Sequence, residues 1–485
     1  MFLKAGALSL VLLLASRLFG LARESALAAG FGTSGLADVA VLMLTLPDWV
    51  ASVLAGGALA YVLVPAWAGQ TRAQVQASER VVATRLLGAA AVLAVLLLLG
   101  REPALQWLAA GLPPALRPAG MQALVWSAVA LPAAMLAAVW GTRLQHEQDF
   151  TGMYAANLVV NTVVIGAIAL TALADGSLQW LGAGLLAAML ARLVWLRWRA
   201  PTLPRGAASV AAAAPLPRAP LWLWAALSAG LPLALPFVAR SIASQRGAGA
   251  LATFNYAWKL VELPLLLAIQ LVETLALPAI ARALAAQDAA AARSAIRSAF
   301  ALAWALACAA AAALLLGAPA VARVLFGWGR MDAQALARIA EWGALGAWGL
   351  VPQALIAVAL AVLAGRGRMK VAVFAYGAAL AVLLLAGSAG LSDGGWLMLL
   401  LDALFATVAI ATVAALGRDV SSWLPWRAMA ISLAGLVVTA AIAFGAASPT
   451  AWSLWTGLVA AAVAAGLVVG TTWWGSVDLR TALAR

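Results

Sequence analysis

The chain has 485 residues, of which 66% are hydrophobic and only 10% charged. A soluble domain averages about 45–50% apolar and about 25% charged, so a soluble multi-domain protein is excluded. A single cysteine, Cys308, excludes an internal disulfide, and with a single histidine, His146, it excludes zinc, haem and iron–sulfur sites. The formal charge of +13 would point to nucleic acid in a soluble protein. In a chain of mean hydropathy +1.01 it reads as basic cytoplasmic loops facing anionic lipid.

Apolar stretches punctuated by charge, Pro and Gly predict spans at 3–22, 36–65, 81–100, 119–142, 152–173, 178–198, 221–244, 251–280, 298–326, 336–364, 370–390, 395–416, 427–446 and 450–474. Each reaches the roughly 20 residues needed to cross a bilayer. The first resembles a signal peptide, with Lys4 before a leucine-rich run, but no polar domain follows it. With the N-terminus inside, the inner segments hold 20 Lys and Arg and the outer segments 6. That bias favours both termini in the cytoplasm and supports an even number of spans. Arg143, Arg192, Arg197 and Arg199 are among the inner cations, and His146 reads as part of a solvated loop, Gln145–Asp149.

An Ala/Pro-rich stretch near the middle separates two halves, giving an expected division into a six-helix lobe at 1–199, a cytoplasmic linker at 200–220, a second six-helix lobe at 221–417 and two further spans in 418–485. The halves repeat weakly at an offset of 217 residues: Ala22-Arg23 with Ala239-Arg240, Gly30-x-Gly32 with Gly247-x-Gly249, Asp38 with Asn255, and Leu46-Pro47 with Leu263-Pro264. Repeated halves with Pro- and Gly-interrupted helices are a transporter architecture with its site between the repeats.

A charge at the bilayer centre costs roughly 2.5–3.5 kcal/mol or more and is a functional candidate by default. Arg17, Arg23, Glu24, Asp38 and Asp48 fall in the first two spans, Arg240 in the seventh, Lys259, Glu262 and Glu273 in the eighth, and Asp402 alone in the twelfth. The concentration in the first two helices of each half suits a cationic cavity for an anionic substrate. Plainer roles stand beside this one. Arg23-Glu24 and Arg240 lie where a long side chain can snorkel, Glu262 is one turn from Lys259 and can neutralise it, and Asp48 after Pro47 can be a local helix device. Asp402 is a candidate for ion or proton coupling, or a carboxylate paired with backbone.

The run Ser16-Arg17-Leu18-Phe19-Gly20-Leu21-Ala22-Arg23-Glu24 resembles the S-R-x-x-G-x-x-R-[DE] segment of the MurJ (MviN) lipid II flippase family of the MOP exporter superfamily. Gly30-Phe31-Gly32, Ala37-Asp38, Leu46-Pro47-Asp48, Gly57-Ala58 and Val64-Pro65 follow in that family's order, and Tyr256 to Pro264 looks like its eighth-helix Y-A-[DE]-R-L-x-E-[FL]-P. The resemblance implies an all-α polytopic membrane protein of about fourteen transmembrane helices, with two pseudo-symmetric six-helix lobes in a V and two C-terminal helices flanking a groove for a lipid tail. It implies substrate contacts at Arg17, Arg23, Glu24, Asp38 and Lys259, to which the repeat and the helix spacing add Arg240 and Glu262. The chain departs from the family at Thr45, Ala51, Ser52 and Gly56, where basic residues and a glutamate are usual, and at Lys259, where arginine is usual.

The expected function is therefore a flippase, not an enzyme. It would move lipid II from the inner to the outer leaflet of the cytoplasmic membrane by alternating access, with no cofactor or metal. Its expected partners are lipid II, membrane lipid and, as a further candidate, the cell-wall synthesis machinery, with no nucleic acid. The alternatives are a transporter of another polyprenyl-diphosphate-linked glycan and a multidrug-type antiporter. First-helix arginines in place of carboxylates argue against the antiporter.

Overall fold

The computed structural model describes residues 2–174, 177–200, 216–275, 280, 288–417, 420–445 and 449–483. The linker expected at 200–220 and the end of the eighth span, 276–280, fall largely outside these described residues, and nothing is described of the Glu273 side chain. The protein is all-α. Among the described residues twelve helices are long and apolar enough to cross a membrane. Two further long helices, α1 (Phe2–Phe31) and α10 (Ala250–Leu275), match the first and eighth expected spans and carry Arg17, Arg23, Glu24, Lys259 and Glu262.

The chain forms two compact units. The first comprises Met1–Ala234, Ser244–Ala252 and Trp328–Met331, and the second comprises Leu235–Ala243, Thr253–Gly327 and Asp332–Arg485. Within the first, α1 is followed by α2 (Gly35–Val53), α3 (Leu59–Trp67), α4 (Arg72–Leu99), α5 (Arg101–Leu108), α6 (Arg117–His146), α7 (Phe150–Leu173) and α8 (Leu178–Arg199). A further helix, α9 (Ala219–Ala243), begins in this unit. Helix α7 packs on α1 and α8, and α6 packs on α2, α4 and α8. Small residues allow close approach where lipid supplies no hydrophobic drive: a Cβ at Gly57 would lie 2.5 Å from that of Ala229, and one at Gly184 2.1 Å from that of Ala167.

Proline sets a specific hydrogen-bonding problem in α2. Pro47 has no N–H, so the carbonyl four residues earlier, that of Met43, loses its helical donor. In a bilayer core water cannot take its place. Ser127 on α6, fully buried, donates its hydroxyl to that Met43 carbonyl at 2.8 Å. The same contact fixes the register of α6 against α2. About two turns beyond Pro47 the helix widens into a π-turn at Leu54–Ala58, a departure that recurs at functional sites.

The second unit is built around the 38-residue helix Ala289–Phe326, whose middle is almost wholly buried. At 1.5 Å per residue it is roughly 57 Å long, well beyond the ~30 Å hydrocarbon layer. Asp288 caps its start by accepting the N–H groups of Ala290 and Ala291. The two C-terminal spans, Trp426–Gly445 and Leu454–Gly475, both pack on it. A Cβ at Gly317 would come within 2.6 Å of Ala461, and one at Gly457 within 2.7 Å of Ala320. Arg297 ties the same helix to Asp478 at 2.8 Å.

If Ser127 serves the carbonyl that Pro47 frees, Ser127→Ala should destabilise the protein by about 1–3 kcal/mol, the usual penalty for a buried unmet acceptor. Pro47→Ala restores an N–H at the right place, so the loss caused by Ser127→Ala should shrink in that background. Thermal unfolding of the four variants in nanodiscs checks this. An equal loss in both backgrounds would assign Ser127 a different role.

Candidate functional site

The first unit gathers two of the expected charges, Arg23 and Glu24, into one cluster and adds Asp48, which was read as a helix device. Arg23 projects from α1 and donates through Nη2 to its neighbour Glu24 at 2.9 Å and through Nη1 to Asp48 of α2 at 2.6 Å. Glu24 is 5% exposed. Arg23 thus carries two carboxylate partners, while its Nε is buried with no hydrogen-bond partner among the described residues. A guanidinium offers five donors in a planar fork, and here part of that capacity is unused.

Arg17 is not part of this cluster. Six residues along a helix turn the side chain through roughly 600° at 100° per residue, which leaves Arg17 about 120° away from Arg23. It is exposed on the face that also exposes Leu14 and Leu18.

Asp38 has a different task. Buried at 3% exposure on the first turn of α2, it accepts the backbone N–H groups of Gly249 at 2.6 Å and Ala252 at 2.8 Å. These belong to the segment Ser244–Ala252 of the same unit and open α10. The first N–H groups of a helix have no partner within it, and Asp38 supplies from 211 residues away what an N-cap side chain supplies locally. The chain approaches so closely here that a Cβ at Gly249 (φ +82°) would lie 1.7 Å from the Thr33 carbonyl. Arg330 adds a backbone bond to Ala29 at 2.9 Å.

In the second unit Arg240, near the end of α9, donates to Asn255 at 2.8 Å and lies 5.1 Å from the centroid of the Phe237 ring. The repeat pairs Arg240 with Arg23 and Asn255 with Asp38, yet the hydrogen bond formed in the second unit has no counterpart in the first, because Asp38 is occupied by backbone. Lys259 pairs with Glu262 one turn on, at 2.5 Å, and both remain about a quarter exposed. The neutralising role of Glu262 is thus realised, and Lys259 keeps an open side.

Asp402, on the helix Gly394–Ala414, lies against Gly349, which ends a 3₁₀ turn (Gly346–Gly349) between the helices Ala333–Leu345 and Leu350–Gly365. A Cβ at Gly349 would lie 2.2 Å from Asp402 Oδ1, so the carboxylate uses the space that glycine leaves. Its Oδ2 is buried with no partner among the described residues.

Two of the inner cations, Arg143 and Arg192, and the histidine are less solvated than a loop reading implies, whereas Arg199 stays exposed. Arg143 is 1% exposed and pairs with Glu147 at 2.8 Å, with Glu79 3.9 Å away. Arg199 pairs with Asp149 at 2.6 Å. His146 ends α6 with its ring edge-on to the buried Trp67, centroids 5.6 Å apart. Arg192 lies seven residues inside the end of α8, half-buried, with its Nε buried and unpartnered among the described residues. Sequence reading missed it because Arg197 and Arg199 follow and make the whole helix end look like a basic interface belt. The available signal was depth, about 10 Å from the helix end at 1.5 Å per residue. Among the described residues no group of three or more His, Cys, Asp or Glu is placed to hold a metal ion.

Among the described residues Arg23 and Lys259 are cations held on apolar helices by carboxylate partners. The family model of the lipid II flippase MurJ matches residues 27–479. The chain belongs to that family. It is accordingly a multi-pass membrane protein of a transporter family. The S-R-x-x-G-x-x-R-[DE] segment at 16–24 lies just before the matched range. No curated protein matches the chain. Among solved structures it is similar to a lipid II flippase MurJ in an inward closed conformation, with a TM-score of 0.77 at 13% identity over 96% of this chain and 99% of that one. It is less similar to an inward-facing multidrug resistance MATE family transporter of the MOP superfamily, with a TM-score of 0.56 at 14% identity over 87% of this chain and 95% of that one. A MOP superfamily transporter from Pyrococcus furiosus has a TM-score of 0.53 at 16% identity, over 89% and 96%. At these identities the structures establish the shared fold.

The capping role of Asp38 is directly measurable. Asp38→Ala should loosen the first turn of α10 by about 1 kcal/mol, roughly fivefold faster amide exchange over residues 249–252. Hydrogen exchange read by mass spectrometry checks it, with peptides from α7 as the unchanged control. Unaltered exchange at 249–252 would contradict the capping account.

Proposed function

We propose that this chain carries lipid II from the inner to the outer leaflet of the bacterial cytoplasmic membrane by alternating access, with both termini in the cytoplasm. The observation that carries the reading is the family match over residues 27–479. The physics of the first unit supports it. A diphosphate linked to a lipid must meet cations inside the membrane, and the lipid tail needs only apolar surface. Arg23 offers the planar fork that grips two phosphate oxygens at once, whereas Lys259 is a compact point charge. Glu24, Asp48 and Glu262 hold these cations neutral while no cargo is bound. Arg240 is a further candidate contact to the anionic headgroup, whereas Arg17 faces away from the Arg23 cluster. Asp402 supports coupling to an ion or proton through its free oxygen. The chemistry is transport without covalent change to the cargo, so no enzyme activity is assigned, and cell-wall synthesis enzymes are the partners that receive the cargo.

Complementation of a strain depleted of its lipid II flippase tests this function. The wild-type gene should restore growth and cell shape. Arg23→Ala should fail and Arg23→Lys should restore part of the activity, with equal protein in the membrane. Lys259→Arg should be tolerated. Growth with Arg23→Ala at normal levels would overturn the cationic-site mechanism. Topology is tested separately: a reporter active only in the cytoplasm should work when fused after Arg205, and one active only outside should work after Asp393. Reversal of either signal would overturn the orientation.

A further inference from the structure

The guanidinium of Arg143, near the end of α6, is 1% exposed, and its bonding is incomplete. Its Nη2 pairs with Glu147 at 2.8 Å, while Nε and Nη1 are buried with no hydrogen-bond partner among the described residues. Glu79 of α4, itself 7% exposed, stops short of them: its Oε2 lies 3.9 Å from Arg143 Nε. The other oxygen, Oε1, accepts the indole N–H of Trp140, one turn earlier on α6, at 2.7 Å. A charge-assisted hydrogen bond is about 2.8 Å long, so the gap is too wide by about 1 Å. Unmade donors on a buried cation are costly. Here the group that would satisfy Nε is already in place on the neighbouring helix.

The way the second span is tied down allows that gap to close. Before its π-turn at Leu54–Ala58, α2 is fastened to α6 through Ser127 and the Met43 carbonyl. Beyond the π-turn, α3 is fastened to α4 instead: the fully buried Trp67 donates its indole N–H to Ser78, next to Glu79, at 2.6 Å. A change at the π-turn therefore moves α3 and α4 together against α2 and α6. Asp48, which holds Arg23, lies six residues before that turn, on the half tied to α6.

We propose that α4 has a second seat on α6, about 1 Å away, in which Glu79 Oε2 accepts the N–H of Arg143 Nε, and that this seat is taken when an anionic headgroup draws Arg23 away from Asp48. Packed interfaces switch between discrete arrangements and do not deform continuously. A ligand shifts two such states only through a difference in its interaction with them. That difference arises at Arg23 and Asp48, and the Glu79–Arg143 contact holds the second state. This rests on the reading of the chain as a lipid II flippase and adds Glu79 and Arg143 to it as positioning residues that do not touch the cargo.

Nitrogen-15 NMR of the full-length protein, with labelled arginine in phosphatidylcholine nanodiscs, reads the Arg143 Nε–H directly. Arg143→Lys lacks that group and assigns its signal. Should it fail to reach the membrane, the double variant Glu79→Gln with Arg143→Met, which removes both charges of the pair, serves instead. Saturating lipid II should slow hydrogen exchange of this N–H about tenfold in the wild type, as one charge-assisted hydrogen bond forms. Glu79→Gln keeps an acceptor for Trp140 but offers Arg143 no charge, so lipid II should then change the exchange by less than about twofold. A fixed structural pair, or a water filling the gap, would not respond to cargo. Exchange unchanged by bound lipid II in the wild type would therefore overturn the proposal. Equal slowing in Glu79→Gln would overturn it as well, by assigning the new acceptor to another group. If the wild type binds lipid II no better than it binds phosphatidylcholine, the lipid II reading fails and this proposal with it. If lipid II binds and the Arg143 signal does not respond, only this proposal fails.

Discussion

Inside a bilayer every polar group must find its partner within the protein, and this single constraint explains the unusual contacts of the chain. Pro47 strips a carbonyl of its donor, and a serine on another helix replaces it. The opening turn of α10 lacks acceptors for its N–H groups, and a carboxylate 211 residues away supplies one. At the 3₁₀ break Gly346–Gly349, the carboxylate of Asp402 lies directly against Gly349. Arg23 is the most demanding case, because it is a full charge, and it is held by two acids from two helices. The apolar mass gives the fold its spans, but these few polar contacts fix how the helices of each unit register.

The pairing of Arg23 also bears on how such a site can release what it binds. A buried ion pair is seldom strongly stabilising overall, because desolvation offsets most of the attraction, but removing one partner alone leaves a destabilising charge behind. A cation that is already neutralised binds an incoming phosphate by exchange of partners. Exchange keeps the net gain small, so the cargo is selected by charge and geometry without being held too tightly to leave. An unpaired arginine at the same depth would either disrupt the fold or trap its ligand. Asp48, the acid that reaches Arg23 from the second helix, directly follows Pro47 in α2.

Much of the fold was legible in the sequence because spans announce themselves by length and apolarity, and the fourteen expected stretches correspond to observed helices. Arg23, Glu24, Lys259 and Glu262 stood out for the same reason, as charges in apolar runs. Their partners within a turn could be read from helical spacing, as with Lys259 and Glu262. Partners on other helices could not. Asp48 lies 25 residues from Arg23, and only the packing of α2 on α1 brings them together. Asp38 looked like a cavity charge, since nothing local distinguishes a carboxylate that binds cargo from one that caps a distant helix. Arg143 and Arg192 were hidden by the opposite error. A count of Lys and Arg near helix ends fixes orientation well, yet it treats every such cation as solvated, and these two turn inward.

The central claim is that the diphosphate of the cargo is received by the Arg23–Asp48 cluster between α1 and α2. The most direct measurement is photo-crosslinking with a lipid II analogue that carries its reactive group next to the diphosphate, followed by peptide mapping of the labelled full-length protein. The account predicts attachment in α1 and α2, within about one helical turn of Arg23 and Asp48, and loss of that attachment when unlabelled lipid II competes. Competed attachment confined to other helices, with none in α1 or α2, would contradict it.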